Sequence, residues 1–154
     1  MAEISVVIPT FNRAVKTART VASVLYQTGE ACNIVVVDDG STDHTRDVLA
    51  QFKDKIHVVT HSTNRGVSAA RNTGIRQCDS PILTFLDSDD YWLPRKLTTQ
   101  HRFMATHPEV MICQTDEIWI RNGRYVNPMK KHNKPSGWIF EPSLKRCLVS
   151  PSAV

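Results

Sequence analysis

Three carboxylates crowd together at Asp87-Ser88-Asp89-Asp90, directly after the apolar run Ile82-Leu83-Thr84-Phe85-Leu86. Packed that closely they repel one another and raise their own pKa values unless a cation or a set of donors compensates. A bound divalent ion is the usual compensation. Hard ions such as Mg²⁺ or Mn²⁺ take oxygen ligands, and Mg²⁺ is typically held by one or two carboxylates while water and substrate phosphate complete its shell. Asp87-Ser88-Asp89 suits that sparse arrangement. Acids at a strand end are also what an ordinary solvated loop presents. A second acidic pair, Asp38-Asp39, closes another apolar run, Ile34-Val35-Val36-Val37, and leads into Gly40-Ser41-Thr42-Asp43.

Both runs are short and made of β-branched, aromatic or leucine residues, which reads as buried strand rather than helix. Ahead of them, Ile4 to Ile8 forms a first strand that Pro9 is expected to end. A helix over about 14–27 follows, from the helical recurrence of Val15, Ala18, Val21, Ala22, Val24 and Leu25. Ser41 or Thr42 can cap the next helix, which runs to about Phe52. A third strand spans 56–60, then a helix over 67–77 carries Arg71 and Asn72. A helix from Leu93-Pro94 to about Thr106, a fifth strand over 110–115 and a hairpin turning at Asn122-Gly123 complete the pattern. Strands alternating with helical crossovers of this length predict an α/β fold: a mostly parallel, Rossmann-like sheet with helices on both faces and a small hairpin near the C-terminal part. Ligands of such sheets sit at the carboxyl ends of the strands. The polar segments Pro9 to Arg13, Asp38 to Asp43, Asn64 to Gly66 and Asp87 to Asp90 each follow a strand, so they share one rim and, on this reading, one binding site.

The bulk composition is that of a single soluble domain: 154 residues, net charge +4 and 41% hydrophobic. That charge is modest for a nucleic-acid binder, and none is expected as a partner. One basic segment, 121–134, carries Arg121, Arg124, Lys130, Lys131 and Lys134 without an acid. It suits anionic lipid, giving peripheral membrane association, or an anionic substrate, or a plain solvated hairpin. The four cysteines form no Cys-x-x-Cys and read as reduced and mostly buried. With no leader pattern and no spanning run, a cytoplasmic location is expected, including the inner face of the membrane. Gly-x-Gly-x-x-Gly, the P-loop, an EF-hand loop and Gly-x-Ser-x-Gly are all missing, which disfavours dinucleotide, P-loop, calcium and serine-hydrolase chemistry.

Val7-Ile8-Pro9-Thr10-Phe11-Asn12-Arg13, Val36-Val37-Asp38-Asp39-Gly40-Ser41-Thr42-Asp43, Asn64-Arg65-Gly66 with Ala69-Ala70-Arg71-Asn72, and Phe85-Leu86-Asp87-Ser88-Asp89-Asp90 resemble, in order and spacing, the successive motifs of family 2 glycosyltransferases with the GT-A fold. The resemblance implies transfer of a sugar from a nucleotide-diphosphate sugar, most often a UDP-sugar, to an acceptor hydroxyl with inversion. It implies donor contacts from Pro9, Thr10, Asn12, Asp38, Asp39, Arg71, Asp87 and Ser88. Asp39, beside Asp38, would accept a hydrogen bond from the base, and Arg71 would hold the base or the diphosphate. Asp89 would contact a Mn²⁺ or Mg²⁺ ion bridging the phosphates, while Asp87 would reach the ribose or a metal-bound water. The family's general base lies on a later acidic segment, toward which Ser150 to Val154 is expected to lead as a strand. Residues 1–154 are thus expected to form a single donor-binding domain, lacking the acceptor and base segment, with no catalytic base assigned.

Other readings stay open. Asn12 and Asp43 can simply cap helices, Arg71 can pair with Asp38 or Asp39, and Trp92 can stack on a sugar or pack in the core. A non-catalytic nucleotide-sugar-binding module is one alternative function. A sugar nucleotidyltransferase is another, although it would want a glycine-rich loop where Pro9 to Arg13 stands.

Overall fold

The computed structural model describes residues 2–127, 132–145 and 147–154. Its centre is a four-stranded, all-parallel sheet in the order β3-β2-β1-β4, built from β1 (Ile4–Thr10), β2 (Cys32–Asp38), β3 (His57–Thr60) and β4 (Ile82–Phe85). Alternation along each strand divides the core. Ile4, Val6, Ile8, Ile34 and Val36 point to one face, where they meet Val21 and Val24 of α1 (Ala14–Leu25), Leu49 of α2 (Thr45–Ala50), and Trp92 and Leu97 near the start of α4 (Lys96–Thr106). Val35 and Val37 point to the other face and pack on Ala70 of α3 (Val67–Ile75). Each such side chain, fully buried, contributes roughly 1.5–3 kcal/mol. Helices therefore cover both faces, as expected. Gly74 lets α3 lie close, since a Cβ there would come 2.4 Å from Val7 Cγ1.

β1 runs through Pro9 instead of ending before it. Leu86 donates its N–H to Val7 O, so odd-numbered backbone groups of β1 face β4, and the β4 register stops at Val7 opposite Phe85. At Pro9 there is consequently no ladder bond for the missing N–H to forfeit. α2 starts at Thr45 without Ser41 or Thr42 as its cap, because both engage Asn12 instead. The expected strand over 110–115 is irregular: it finds no strand partner among the described residues, Met111 is 86% exposed, and Thr115 N–H bonds Ala153 O. Ser150 to Val154 is likewise no strand. It forms a 3-10 turn, Pro151–Ala153, closed by Ala153 N–H to Ser150 O at 3.0 Å.

The Asn122-Gly123 hairpin is present, shorter than expected, as β5 (Ile120–Arg121) and β6 (Arg124–Tyr125) with both turn residues at positive φ. A four-residue helix α5 (Phe140–Ser143) follows. The cysteines are all unbridged, but three are only half-buried and Cys147 is exposed. Among the described residues no helix is long and apolar enough to cross a membrane.

Candidate active site

At the carboxyl edge of the sheet the loops are knitted together by side chains. Asn12, at φ +49, donates its N–H to Ser41 Oγ at 2.9 Å, and its Oδ1 accepts the N–H groups of Thr42 and Asp43 at 2.8 and 3.3 Å. Asp43 in turn accepts from the first residues of two helices, Ala14 N–H at 3.3 Å and Thr45 N–H at 3.0 Å. The Thr45 hydroxyl, on the same carboxylate, is the largest influence holding Asp43 below the usual carboxylate range. Asp38 is fully buried, accepting Ser41 N–H at 2.9 Å and Arg46 Nε–H at 3.3 Å. Asn12 and Asp43 hold the β1–α1 and β2–α2 loops to each other, while Asp38 fixes the β2–α2 loop on itself.

Beside them opens a cavity of about 460 Å³. Pro9, Thr10, Asp39, Arg71, Asp87, Ser88 and Asp89 line it, so the structure gathers these predicted residues and leaves Asn12 and Asp38 out. At one side Asp39, only 3% exposed, accepts His61 Nδ1–H at 2.6 Å, Gly66 N–H at 2.8 Å, and Arg65 N–H shared between both oxygens at 3.0 and 3.1 Å. Burial pushes its carboxyl up, but His61 and the two backbone donors outweigh that and keep it below its ordinary value. His61 is itself fixed, its Nε2 lying 3.0 Å from Thr73 Oγ1.

At the other side each acid of the Asp-x-Asp faces a guanidinium. Arg71 Nη2 donates to Asp87 Oδ1 at 2.5 Å, while Arg13 Nη1 and Lys16 Nζ lie 2.7 and 3.8 Å from Asp89 Oδ2. Arg71 therefore pairs with Asp87 rather than Asp38 or Asp39, whose oxygens are already committed to Arg46 and His61. Its Nε is buried with no hydrogen-bond partner among the described residues. A buried N–H of a charged group without an acceptor costs free energy, and an anionic ligand in the cavity would relieve it. Trp92 does not line the cavity. It is core, with Lys96 Nζ 3.8 Å from its ring centroid and its Nε1–H on Ser152 O at 2.7 Å.

Phe11, Arg13, Asn64, Val67 and Ala70 also line the cavity; all but Val67 fall in the motif segments read from the sequence, although none is given a donor or metal role there. Val67, Ala70 and Arg71 stand at i, i+3 and i+4, one face of α3, a spacing from which two of the five were readable. No group of three or more His, Cys, Asp or Glu suited to a metal occurs among the described residues. A Mg²⁺ or Mn²⁺ site completed by phosphate and water needs no such group. Asp89 fits one: it is a hard oxygen donor, partly exposed at the cavity, with both cation contacts on Oδ2.

The family model for glycosyl transferase family 2 matches residues 5–150. The putative teichuronic acid biosynthesis glycosyltransferase TuaG of Bacillus subtilis is 40% identical over 150 residues, covering 95% of this chain and 58% of the relative. Among solved structures, S. aureus TarS 1–349 in complex with UDP-GlcNAc matches at 30% identity and TM-score 0.66, over 69% of this chain and 32% of that one. The mannosyltransferase PcManGT from Pyrobaculum calidifontis in complex with GDP-Man and Mn²⁺ matches at 25% identity and TM-score 0.63, over 68% and 32% respectively. The chain spans between 22% and 58% of the length of the curated relatives it matches. Together with the parallel sheet and its rim of acids, the match over residues 5–150 shows that the chain belongs to glycosyl transferase family 2 and has the GT-A type of fold.

Proposed function

We propose that this domain binds a nucleotide-diphosphate sugar, a UDP-sugar, and serves its transfer to an acceptor hydroxyl with inversion, assisted by Mn²⁺ or Mg²⁺. The observation that carries the reading is Arg71: it lines the cavity, pairs with Asp87, and keeps a buried Nε–H without an acceptor among the described residues. A diphosphate supplies that acceptor. Asp39 and Asn64 then border the base, Arg71 and Arg13 border the phosphates, and Ser88 lines the cavity between the two acids. Asp89, with Asp87 near it, would hold the divalent ion, which supplies positive charge against the departing nucleoside diphosphate.

The chain's own part is to orient the donor and concentrate cationic groups where the leaving group gathers charge. Inversion requires one displacement: the acceptor oxygen bonds to the anomeric carbon as the bond to the diphosphate oxygen breaks on the opposite face. The acceptor's proton passes to a base that we assign to none of the described residues. Glu117 is already engaged by Trp119 Nε1–H at 3.1 Å and Lys134 at 3.3 Å. These residues are accordingly the donor-binding part. Peripheral contact with anionic lipid at the cytoplasmic face would rest on Arg121 and Arg124, exposed on the hairpin, whereas Lys134 turns inward to Glu117 and Ser150. Lys130 and Lys131 lie outside the described residues.

The test is a thermal-shift panel of UDP-, GDP-, dTDP- and CDP-sugars, each with Mn²⁺ and with chelator, on the wild type and Asp89→Ala. Stabilisation by the UDP-sugar that needs Mn²⁺ and disappears in Asp89→Ala is expected. Indifference to every nucleotide sugar would refute the donor site.

A further inference from the structure

The turn Pro151–Ala153 is remote in sequence from the acids, yet one of its hydroxyls stands between the two ends of their segment. Ser152 Oγ accepts Asp87 N–H at 3.1 Å and donates to Asp90 Oδ2 at 2.6 Å. The last backbone bond from the acidic strand to β1 is Leu86 N–H to Val7 O, so Asp87 N–H is the first donor beyond the ladder, and Ser152 receives it. Thr20 of α1 holds the far end from the other side, its hydroxyl donating to Asp90 O at 2.7 Å.

Considerable polar structure is spent on keeping this turn in place. The main-chain oxygens of three consecutive residues, Ser152, Ala153 and Val154, accept side-chain donors from Trp92 Nε1, Gln100 Nε2 and Lys96 Nζ at 2.7, 3.1 and 2.9 Å. All three donor side chains belong to buried residues. Buried polar side chains trained on the main-chain oxygens of three successive residues fix the turn's backbone, and with it the place of the Ser152 hydroxyl.

We propose that Ser152 is a positioning residue for the metal-assisted part of donor binding: its hydroxyl ties the Asp87 backbone to the Asp90 carboxylate and so fixes how Asp87 and Asp89 face the cavity. This rests on the donor-site reading above. Ser152 does not line the cavity, so it acts through the acids and not on the nucleotide itself.

Isothermal titration of the 154-residue chain with UDP, once with saturating Mn²⁺ and once with EDTA, separates the two contributions. For Ser152→Ala, affinity in Mn²⁺ falls about tenfold, a change of about 1.4 kcal/mol, while affinity in EDTA is unchanged. Ser152→Thr, which keeps the hydroxyl, restores the Mn²⁺ affinity. If Ser152→Ala does not fold, Asp90→Asn decides, because it weakens the acceptor of the same hydroxyl and shows the same Mn²⁺-specific loss. Equal weakening with and without Mn²⁺ would mark Ser152 as a fold-holding residue only, and wild-type affinity in Mn²⁺ for both variants would likewise overturn the proposal. A wild type that binds no UDP in either buffer would remove the donor site, and this inference with it.

Discussion

Replacing Asp39 separates what the carboxylate does for the fold from what its charge does. Asp39→Ala removes the acceptor of three donors: His61 Nδ1–H, Arg65 N–H and Gly66 N–H. Hydrogen bonds to a charged group are worth roughly 1.5–3 kcal/mol each. Arg65 is exposed and Gly66 half-buried, so water recovers part of the loss at their N–H groups, whereas His61 is buried and water does not reach it as easily. The expected cost of Asp39→Ala is about 3–5 kcal/mol, against a total stability of order 5–15 kcal/mol for a domain of this kind.

Asp39→Asn should be far milder. Oδ2 already accepts both Arg65 N–H and Gly66 N–H, so the amide oxygen can keep these two bonds. The amide NH₂ then takes the place of Oδ1 and donates to His61 Nδ1, which becomes the acceptor when the imidazole proton moves to Nε2 and bonds Thr73 Oγ1. Only the charge is lost, at about 1–2 kcal/mol. Urea unfolding of the three proteins near neutral pH, followed by tryptophan fluorescence, should give the order wild type, Asp39→Asn, Asp39→Ala. The sign with pH follows from the lowered carboxyl. A carboxylate held below its unfolded value of about 3.9 contributes stability fully present above that pH and lost as pH falls through the folded value. The gap between wild type and Asp39→Asn should therefore close in acid. An asparagine variant as unstable as the alanine one, or a gap that widens toward low pH, would refute the reasoning.

Two further substitutions probe what positions the site. Gly74→Ala would ordinarily favour a helix by about 1 kcal/mol, but its Cβ would lie 2.4 Å from Val7 Cγ1, so a net loss of about 1–3 kcal/mol is expected in thermal melts; adding Val7→Ala should recover part of it. Lys96, 8% exposed, has its ammonium pushed down by burial to about 7 from 10.5, so between those values the unfolded chain binds the extra proton and stability rises with pH. The rise should reach up to about 4 kcal/mol relative to Lys96→Met, measured by melts from about pH 6 to 10, and parallel curves for the two proteins would contradict it.

Much of this was readable from the chain because parallel strands buried on both faces are continuous apolar runs, and Ile34-Val35-Val36-Val37 leaves little choice of element. The Asn122-Gly123 hairpin was equally legible, since a two-residue turn of that type demands positive φ at both positions. Contacts over long sequence separation were not. The run 110–115 has strand composition, but a strand exists only where a partner offers its edge. Ser152 carries no local mark of its place between Asp87 and Asp90. Asn12 and Arg13 are adjacent polar residues of one loop, and only the left-handed backbone at Asn12, with Ser41 and Thr42 waiting for it, turns one toward the neighbouring loop while the other lines the cavity.

The division of labour between Asp38 and Asp39 has a simpler cause, which strand parity explains. Val36 faces α1 and α2 while Val35 and Val37 face α3. Continued by one residue, that alternation sends Asp38 toward α2, where Arg46 receives it, and Asp39 toward the loop that leads into α3. The same parity runs through β4, whose Phe85 pairs with Val7 and whose following Leu86 joins the α1 and α2 core, so Asp87 returns to the α3 side and meets Arg71. The cavity thus forms on the α3 side because two strands in register each end with an acid of the same parity. A one-residue slip of either strand would exchange faces for every side chain along it. Asp39 and Asp87 would then no longer share a wall with Arg71, and the hydrophobic alternation of the whole sheet is what prevents that slip.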